Sequence, residues 1–190
     1  MLESLLTEIR QCTVCEPHLP LGANPVISAH PAAKILIIGQ APGTKVHNTS
    51  IPWNDASGER LRQWLGLDRE AFYCQENIAI MPMGLCYPGK GRSGDLPPRK
   101  ECAPLWHAKV LEQLPNRQLT LLIGQYAQHY YLSDKPSTLT ETVQQWQRWA
   151  PSVLPLPHPS PRNTLWLRNH PWFEQDIVPY LRQRVKQVLT

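Results

Sequence analysis

The sequence lacks any apolar run that approaches the roughly 18 residues of a membrane-spanning helix. Its first ten residues also lack the basic-then-apolar order of a secretory signal peptide, because Glu3 and Glu8 interrupt a short amphipathic stretch. No internal repeat, heptad array or low-complexity tract is present. These absences argue against a membrane protein, and we expect a cytoplasmic one.

Charge is scarce as well: of the 190 residues, 18% are charged and 42% are hydrophobic. This balance is typical of a globular protein, because a disordered chain carries fewer apolar residues and more charge. The length suits one core, so we predict a single domain over residues 1–190. The net charge of +4 permits an anionic partner such as nucleic acid without requiring one. The chain is rich in proline (20) and tryptophan (7), which predicts rigid loops around flat aromatic surfaces.

Four short apolar segments with the composition of buried strands occur along the chain: Lys34–Gly39, Asn77–Met81, Leu119–Gly124 and Val153–Leu156. Helical patterns surround them at 2–11, 58–67, 99–114, 125–132, 140–149 and 172–189, with Ser57 and Thr140 as predicted N-caps. This alternation predicts an α/β fold, a three-layer αβα sandwich around a four-stranded, mainly parallel sheet. Ligands of such sheets bind beyond the carboxyl ends of the strands.

Two predicted strand ends carry loops that combine small residues with prolines, Gly39-Gln-Ala-Pro-Gly43 and His158-Pro-Ser-Pro-Arg-Asn163. In these loops the chain resembles the uracil-DNA glycosylase superfamily. The first loop is similar to the first active-site motif, particularly that of the iron–sulfur family. The second is similar to the second motif of single-strand-selective uracil glycosylases. The resemblance runs from Cys12 to about Trp172, and both motifs stand in order on the predicted strand ends.

The resemblance implies a DNA glycosylase that hydrolyses the N-glycosidic bond of uracil, or a related deaminated base, in base excision repair. Such cleavage releases the base as an anion, so an enzyme gains most by stabilising that leaving group. By resemblance, the donor to the base would be His158; an ordinary turn histidine is the alternative. The substrate would be single- or double-stranded DNA, no cofactor would be consumed, and we expect a monomer.

The same resemblance assigns residues to the base and to the DNA strand. Trp53 stands where related enzymes carry an aromatic ring that stacks on the base, which is worth about 1–3 kcal/mol; core packing is the alternative. The base would also meet the first loop, at Gly39, Ala41, Pro42 and Gly43. The strand would be held by Ser160, Pro161, Arg162 and Asn163 of the second loop, and by Lys90 and Arg92 of a basic loop.

The chain departs from the family pattern at two positions. Iron–sulfur glycosylases usually place an acid where this chain has Gln40, and an amide cannot act as the general base that activates water. Asp55 is the nearest carboxylate that could replace it, and Glu59 on the following helix is a poorer candidate. Asp55 could equally cap that helix together with Ser57. The asparagine with which the family reads uracil falls at Pro82. Asn54 is an alternative reader, and Asn77 becomes one if the register shifts.

Four of the five cysteines repeat the ligand spacing of iron–sulfur uracil glycosylases: Cys12, Cys15, Cys86 and Cys102. Four thiolates suit either a [4Fe–4S] cluster or a tetrahedral zinc ion, and the cluster is favoured by the resemblance. Its role would be structural. Ordinary buried thiols without a metal are the alternative, because cysteine is among the most buried residue types.

Two other functions stay open. The departures at Gln40 and Pro82 would allow a catalytically inactive member of the superfamily that binds nucleic acid or a base. The cysteines would allow a structural or redox iron–sulfur protein with a vestigial pocket.

Overall fold

A computed structural model describes all 190 residues and contains six strands. In chain order these are β1 (Ile35–Ile38), β2 (Ile78–Ile80), β3 (Lys90–Gly91), β4 (Gly94–Asp95), β5 (Leu119–Ile123) and β6 (Val153–Leu156). Four of them form the main sheet in the order β2-β1-β5-β6, and every neighbouring pair is parallel. The remaining two form a separate antiparallel hairpin, β3-β4. The predicted four-stranded sheet is confirmed, and it is parallel throughout.

Nine α-helices connect and cover these strands. They are α1 (Leu2–Arg10), α2 (Thr44–Thr49), α3 (Ala56–Leu65), α4 (Arg69–Phe72), α5 (Cys102–Glu112), α6 (Gln125–Tyr131), α7 (Leu139–Gln144), α8 (Thr164–Asn169) and α9 (Val178–Leu189). Short 3₁₀ turns lie at Glu16–His18, Trp146–Arg148 and Pro161–Asn163, and a π-helical turn at Phe173–Ile177 precedes α9. None of the helices is both long enough and apolar enough to cross a membrane.

The two faces of the main sheet carry separate hydrophobic clusters, because side chains alternate along a strand. In β1, Ile35 and Ile37 pack into the cluster that includes α3 and α9, whereas Leu36 and Ile38 pack into the cluster that includes α1 and α5. Burial on both faces explains why these strands read as continuous apolar runs in the sequence. The predicted three-layer αβα sandwich is confirmed.

The N-caps of two predicted helices lie two residues before Ser57 and Thr140, and for α3 the cap is the alternative, Asp55. Asp55, and not Ser57, caps α3, since its carboxylate accepts the Gly58 amide at 2.8 Å. Thr138, and not Thr140, caps α7, since its hydroxyl accepts the Glu141 amide at 3.2 Å. In both places several neighbouring residues are able to cap a helix, and only the path of the chain selects among them.

The predicted helix 172–189 is interrupted before Pro179. The π-helical turn Phe173–Ile177 gives way to α9 just ahead of this proline, which has no amide to donate to the preceding turn. The hairpin and the short helices α2, α4 and α8 were not predicted from the sequence. Each of these strands and helices is at most six residues long, and the formation of so short an element depends on its tertiary contacts.

Candidate functional site

The carboxyl ends of all four main-sheet strands open into one cavity of about 600 Å³, which we call the strand-end cavity. Each strand contributes the residues that follow it: Pro82 after β2, Gly39–Gly43 after β1, Gln125 after β5 and His158 after β6. Ligands of open parallel sheets bind at this edge. The strand-end cavity is therefore the candidate functional site.

The loop Gly39–Gly43 is fixed through its backbone, which leaves its side chains free for a ligand. The Met83 amide donates to the Gly39 carbonyl at 2.8 Å and so extends the sheet pairing into the loop. A Cβ at Gly39 would lie 2.8 Å from Cζ2 of Trp53, so this position needs glycine for the close approach. The Gln40 side chain lines the cavity and has no hydrogen-bond partner in the protein.

His158 presents a neutral imidazole at the cavity wall. The Ser160 amide donates to Nδ1 at 3.1 Å, so Nδ1 is an acceptor and the ring proton is assigned to Nε2. Burial lowers the pKa of His158 to about 4, and the charge of Asp55 opposes this shift. Asn163 fixes the turn by donating to the His158 carbonyl at 2.8 Å. Because Nε2 has no partner in the protein, it can donate to a ligand in the cavity.

Trp53 belongs both to the hydrophobic core and to the cavity wall. The residue is only 8% exposed, and its ring packs on the His158 ring with centroids 5.6 Å apart and planes inclined by 34°. Its backbone is left-handed, with φ at 59°, which is unusual for a residue other than glycine. The buried Arg62 guanidinium donates to the Trp53 carbonyl at 3.1 Å and holds this conformation. The two roles weighed in the sequence analysis are thus compatible.

Asp55 and Asn54 follow Trp53 but face different surroundings. Asp55 lines the cavity and uses one carboxylate oxygen to cap α3. Asn54 is not part of the cavity lining; its amide contacts Thr49 and accepts from Arg69 at 3.3 Å. The structure therefore does not bring Asn54 to the place where a base would be read.

The second loop and the hairpin together form another part of the cavity wall. Ser160, Arg162 and Asn163 line the cavity, as do Lys90 and other residues of the hairpin 90–95. Arg162 Nη1 donates to the Ser93 carbonyl at 2.6 Å, which joins the second loop to the hairpin. Pro161 and Arg92 lie outside the cavity lining.

Several cavity residues were not assigned from the sequence, among them Gln125 and Asp95. Gln125 follows Gly124 at the end of β5, and the same pattern of a strand closed by glycine that marked the first loop would have found it. Asp95 lies on the hairpin, and no local pattern shows that the hairpin packs beside both loops.

Pro82 stands at the position that the resemblance assigns to the base-reading asparagine, and a hydrogen bond holds its backbone carbonyl. Pro82 lines the cavity, and its carbonyl accepts from Nε2 of the buried His107 at 2.9 Å. Tyr131 donates to the other ring nitrogen of His107 at 2.6 Å. Asn77 lies at the amino end of β2, where its carbonyl pairs with Lys34, so no register shift brings it to the cavity.

The four cysteines with the family spacing surround a second, apolar pocket, which we call the cysteine pocket. Burial raises the pKa of Cys102 to about 12 and that of Cys15 to about 11, and it also raises the pKa of Cys86. The Leu85 amide donates to Cys102 Sγ at 3.3 Å. The fifth cysteine, Cys74, is not part of this pocket.

The sulfur atoms surround the cysteine pocket without converging on one point. No group of three or more His, Cys, Asp or Glu side chains is spaced to hold a single metal ion, whereas tetrahedral zinc needs every sulfur about 2.3 Å from one centre. A soft, desolvated thiol set around an apolar pocket fits an iron–sulfur cluster, whose iron atoms share the four thiolates. The residues present are therefore compatible with such a cluster.

Comparison with known proteins matches residues 27–182 to the family model described as the Uracil DNA glycosylase superfamily. The matched segment includes both strand-end loops, the hairpin and two of the cysteines of the cysteine pocket. One similar protein is the Type-4 uracil-DNA glycosylase of Thermotoga maritima. It is 22% identical over 162 residues, an alignment that covers 84% of this chain and 82% of that relative.

Proposed function

This chain belongs to the uracil DNA glycosylase superfamily, and on that premise we propose that it is a DNA glycosylase that removes uracil or a related deaminated base. The observation that carries the proposal is the strand-end cavity, in which Gly39, Trp53 and His158 meet. The cavity is large enough to hold an extruded nucleotide, and the enzymes that act on bases take them out of the helical stack in this way.

His158 is the donor to the departing base. As the C1′–N bond breaks, negative charge collects on the carbonyl oxygens of the base, and a donor fixed in place stabilises that charge at no cost in reorganisation. The Ser160 amide on Nδ1 keeps the proton on Nε2, and burial keeps the ring neutral at neutral pH by lowering its pKa to about 4. Its hydrogen bond strengthens with the charge on the base, so it favours the transition state over the substrate.

The edge of the base is read by side-chain amides. Gln40 and Gln125 extend from neighbouring strand ends into the cavity, and each offers both a donor and an acceptor. Uracil presents both kinds of group on its pairing edge, whereas a carboxylate reader could only accept. Trp53 supplies the apolar wall against which the ring of the base packs.

The DNA strand runs along the rim formed by the second loop and the hairpin. Lys90 and Arg162 supply positive charge there, and Ser160 and Asn163 supply polar groups that suit contacts to phosphate and sugar. Arg162 uses one nitrogen on the Ser93 carbonyl, so its other nitrogens remain for the strand. Pro161 orders the turn, and Arg92 on the exposed tip of the hairpin attracts the backbone at longer range.

The cysteine pocket holds a structural [4Fe–4S] cluster through Cys12, Cys15, Cys86 and Cys102. When bound, the cluster would supply a crosslink between the N-terminal segment and the segment that carries the hairpin. Because Cys86 and Cys102 flank the hairpin in sequence, this crosslink fixes it beside the strand-end cavity. No cofactor is consumed, and residues 1–190 act as one domain, since both hydrophobic clusters share the main sheet.

Base release from defined oligonucleotides tests this function. Purified protein is incubated with single- and double-stranded DNA that contains uracil, hypoxanthine or xanthine, and abasic sites are revealed by alkaline cleavage. We expect cleavage at uracil, with the free base detected by chromatography. Intact DNA with a persistent gel shift would instead favour an inactive base-binding member, which the departures at Gln40 and Pro82 would allow. Intact DNA without a gel shift would contradict the proposal altogether.

A further inference from the structure

Hydrolysis of an N-glycosidic bond needs a group that accepts a proton from the attacking water, and carboxylates commonly do this. Gln40 cannot, because an amide is not a base. Two carboxylates line the strand-end cavity, those of Asp55 and Asp95. The two carboxylates differ in the hydrogen bonds that they already make within the protein, and this difference distinguishes their roles.

Asp55 is committed to the structure of its own wall. One oxygen accepts the Gly58 amide at 2.8 Å and caps α3. Asp55 is also the carboxylate whose charge acts on His158. It therefore stands on the side of the cavity where the departing base receives its hydrogen bond.

The Asp95 side chain has no hydrogen-bond partner in the protein, and it lies on a different part of the cavity wall from Asp55. Its carboxylate takes part in no side-chain hydrogen bond, and both ion pairs of the chain join other residues. Oδ2 lies 3.6 Å from where a Cβ on Gly43 would be, so it faces the far end of the first loop. The ring of His158, in contrast, lies beside Gly124 and Trp53.

Charged neighbours and partial burial act on the pKa of Asp95 in opposite directions. Arg162 from the second loop and Lys90 on the opposite strand of the hairpin lower its pKa, and partial burial more than offsets them, so that its pKa is raised above the usual value. Tyr87 is the remaining titratable neighbour, and the Asp95 charge acts on it. A carboxylate of raised pKa accepts a proton more readily than an ordinary one.

In glycoside hydrolysis through inversion, the group that assists the leaving group and the base that activates water stand on opposite faces of the sugar. In the strand-end cavity, His158 lies beside Trp53 and Gly124, whereas Asp95 lies beside Gly43, so the donor to the base and this carboxylate occupy separate parts of the wall. Resting on the proposed function, we propose that Asp95 is the catalytic residue that accepts the proton of the attacking water.

In a deoxyuridine substrate, the oxygen of water forms a bond to C1′ while the C1′–N1 bond breaks. The electron pair of the breaking bond leaves with the base, which departs as an anion held by His158 Nε2–H. The water proton passes to the Asp95 carboxylate and from there to solvent. The products are the free base and an abasic site, with no oxidant, reductant or covalent enzyme intermediate.

Single-turnover base release by three proteins tests this assignment: the wild type, Asp95→Asn and Asp55→Asn. Asparagine removes the charge in each variant while keeping the shape, and at position 55 it also keeps the helix cap, since asparagine caps as well as aspartate does. Affinity for an uncleaved oligonucleotide is measured by fluorescence anisotropy on the same samples. Asp95 is exposed and makes no hydrogen bond that the fold needs, so Asp95→Asn is expected to fold.

We expect Asp95→Asn to lose about 100-fold or more in rate, the usual contribution of a general base, with DNA affinity within threefold of wild type. The rise of the wild-type rate with pH through the ionisation of Asp95 should vanish in this variant. Asp55→Asn should lose less than tenfold. The assignment is overturned if Asp95→Asn keeps a tenth of the wild-type rate, or if Asp55→Asn shows the larger loss. The wild type is assayed first, because a wild type that releases no base would overturn the proposed function and not the assignment of Asp95.

Discussion

The rings of Trp53 and His158 pack together with their centroids 5.6 Å apart. This contact joins the segment before α3 to the end of β6, two regions separated by about a hundred residues. Trp53 is in turn held from behind by Arg62 and from the side by Gly39. The wall of the strand-end cavity is therefore formed before any ligand arrives, which spares the protein the cost of ordering it on binding.

Replacing Gly39 by alanine tests the close approach to Trp53. The added Cβ would lie 2.8 Å from Cζ2 of the tryptophan, too near for an ordinary contact, so the ring or the loop must move. Overpacking of this kind costs about 1–3 kcal/mol of unfolding free energy. At Gly43 the nearest atom would be 3.6 Å away, and Gly43→Ala is the matched control. Urea denaturation should show the loss for Gly39→Ala alone; equal midpoints for the two variants would contradict this packing.

Replacing Arg62 by methionine tests the support behind Trp53. Arg62 is 5% exposed, has no carboxylate partner, and donates to the Trp53 carbonyl. Loss of a buried hydrogen bond to a charged group costs about 1.5–3 kcal/mol, and the freed Trp53 should also lower base release more than tenfold. Arg69→Met is the control, because Arg69 is exposed and stacks on Tyr73 from outside. A stable Arg62→Met protein with full activity would show that Trp53 holds its conformation unaided.

Acid should destabilise the fold through His107. Burial lowers its pKa to about 4, whereas an unfolded histidine titrates near 6.5. Between these values the unfolded chain binds more protons, so this contribution to stability is present above pH 6.5 and is lost as the pH falls towards 4. The loss from His107 is roughly 3 kcal/mol at the lower end. Urea denaturation at pH 7.5 and pH 4.5 should show it in the wild type and show less of it in His107→Gln, which can bond but does not titrate in this range. An equal acid loss in both proteins would assign the effect elsewhere.

The iron and sulfide content of the purified protein tests the proposed cluster in the cysteine pocket. Protein purified without oxygen should be brown and contain about four iron and four sulfide per chain, as a [4Fe–4S] cluster requires. Cys86→Ser should lose this content, whereas Cys74→Ser, which changes the cysteine outside the pocket, should keep it. Elemental analysis and absorbance measure both. A folded wild type that is colourless and free of metal would refute the quartet, and one zinc per chain would replace the cluster with a different site.

Much of the fold could be predicted from the sequence, because parallel strands buried on both faces leave continuous apolar runs. Segments such as 34–39 and 119–124 were placed within one residue of the observed strands. Helix starts were harder. Asp55 and Ser57, or Thr138 and Thr140, are equally able to cap a helix, and the choice depends on where the preceding chain comes from.

The composition of the site was predictable only in part. Gly39 follows β1 and His158 follows β6, at the same edge of one parallel sheet, so their meeting follows from the topology. Asn54, the alternative base reader, lies outside the cavity lining, next to the left-handed backbone of Trp53. Asp95 could not be foreseen. Its place depends on a contact between Arg162 and Ser93, which are 69 residues apart in sequence.

The proposed function depends on His158 as the donor to the departing base, and single-turnover release of uracil by His158→Ala measures this role. Removing one such donor typically lowers the rate by about 100- to 1000-fold. His129→Ala is the control, since His129 lies exposed on α6 outside the strand-end cavity. We predict that His158→Ala loses at least 100-fold in rate while it still folds and binds DNA, and that His129→Ala matches the wild type. A His158→Ala protein that releases uracil at the wild-type rate would show that His158 does not stabilise the departing base.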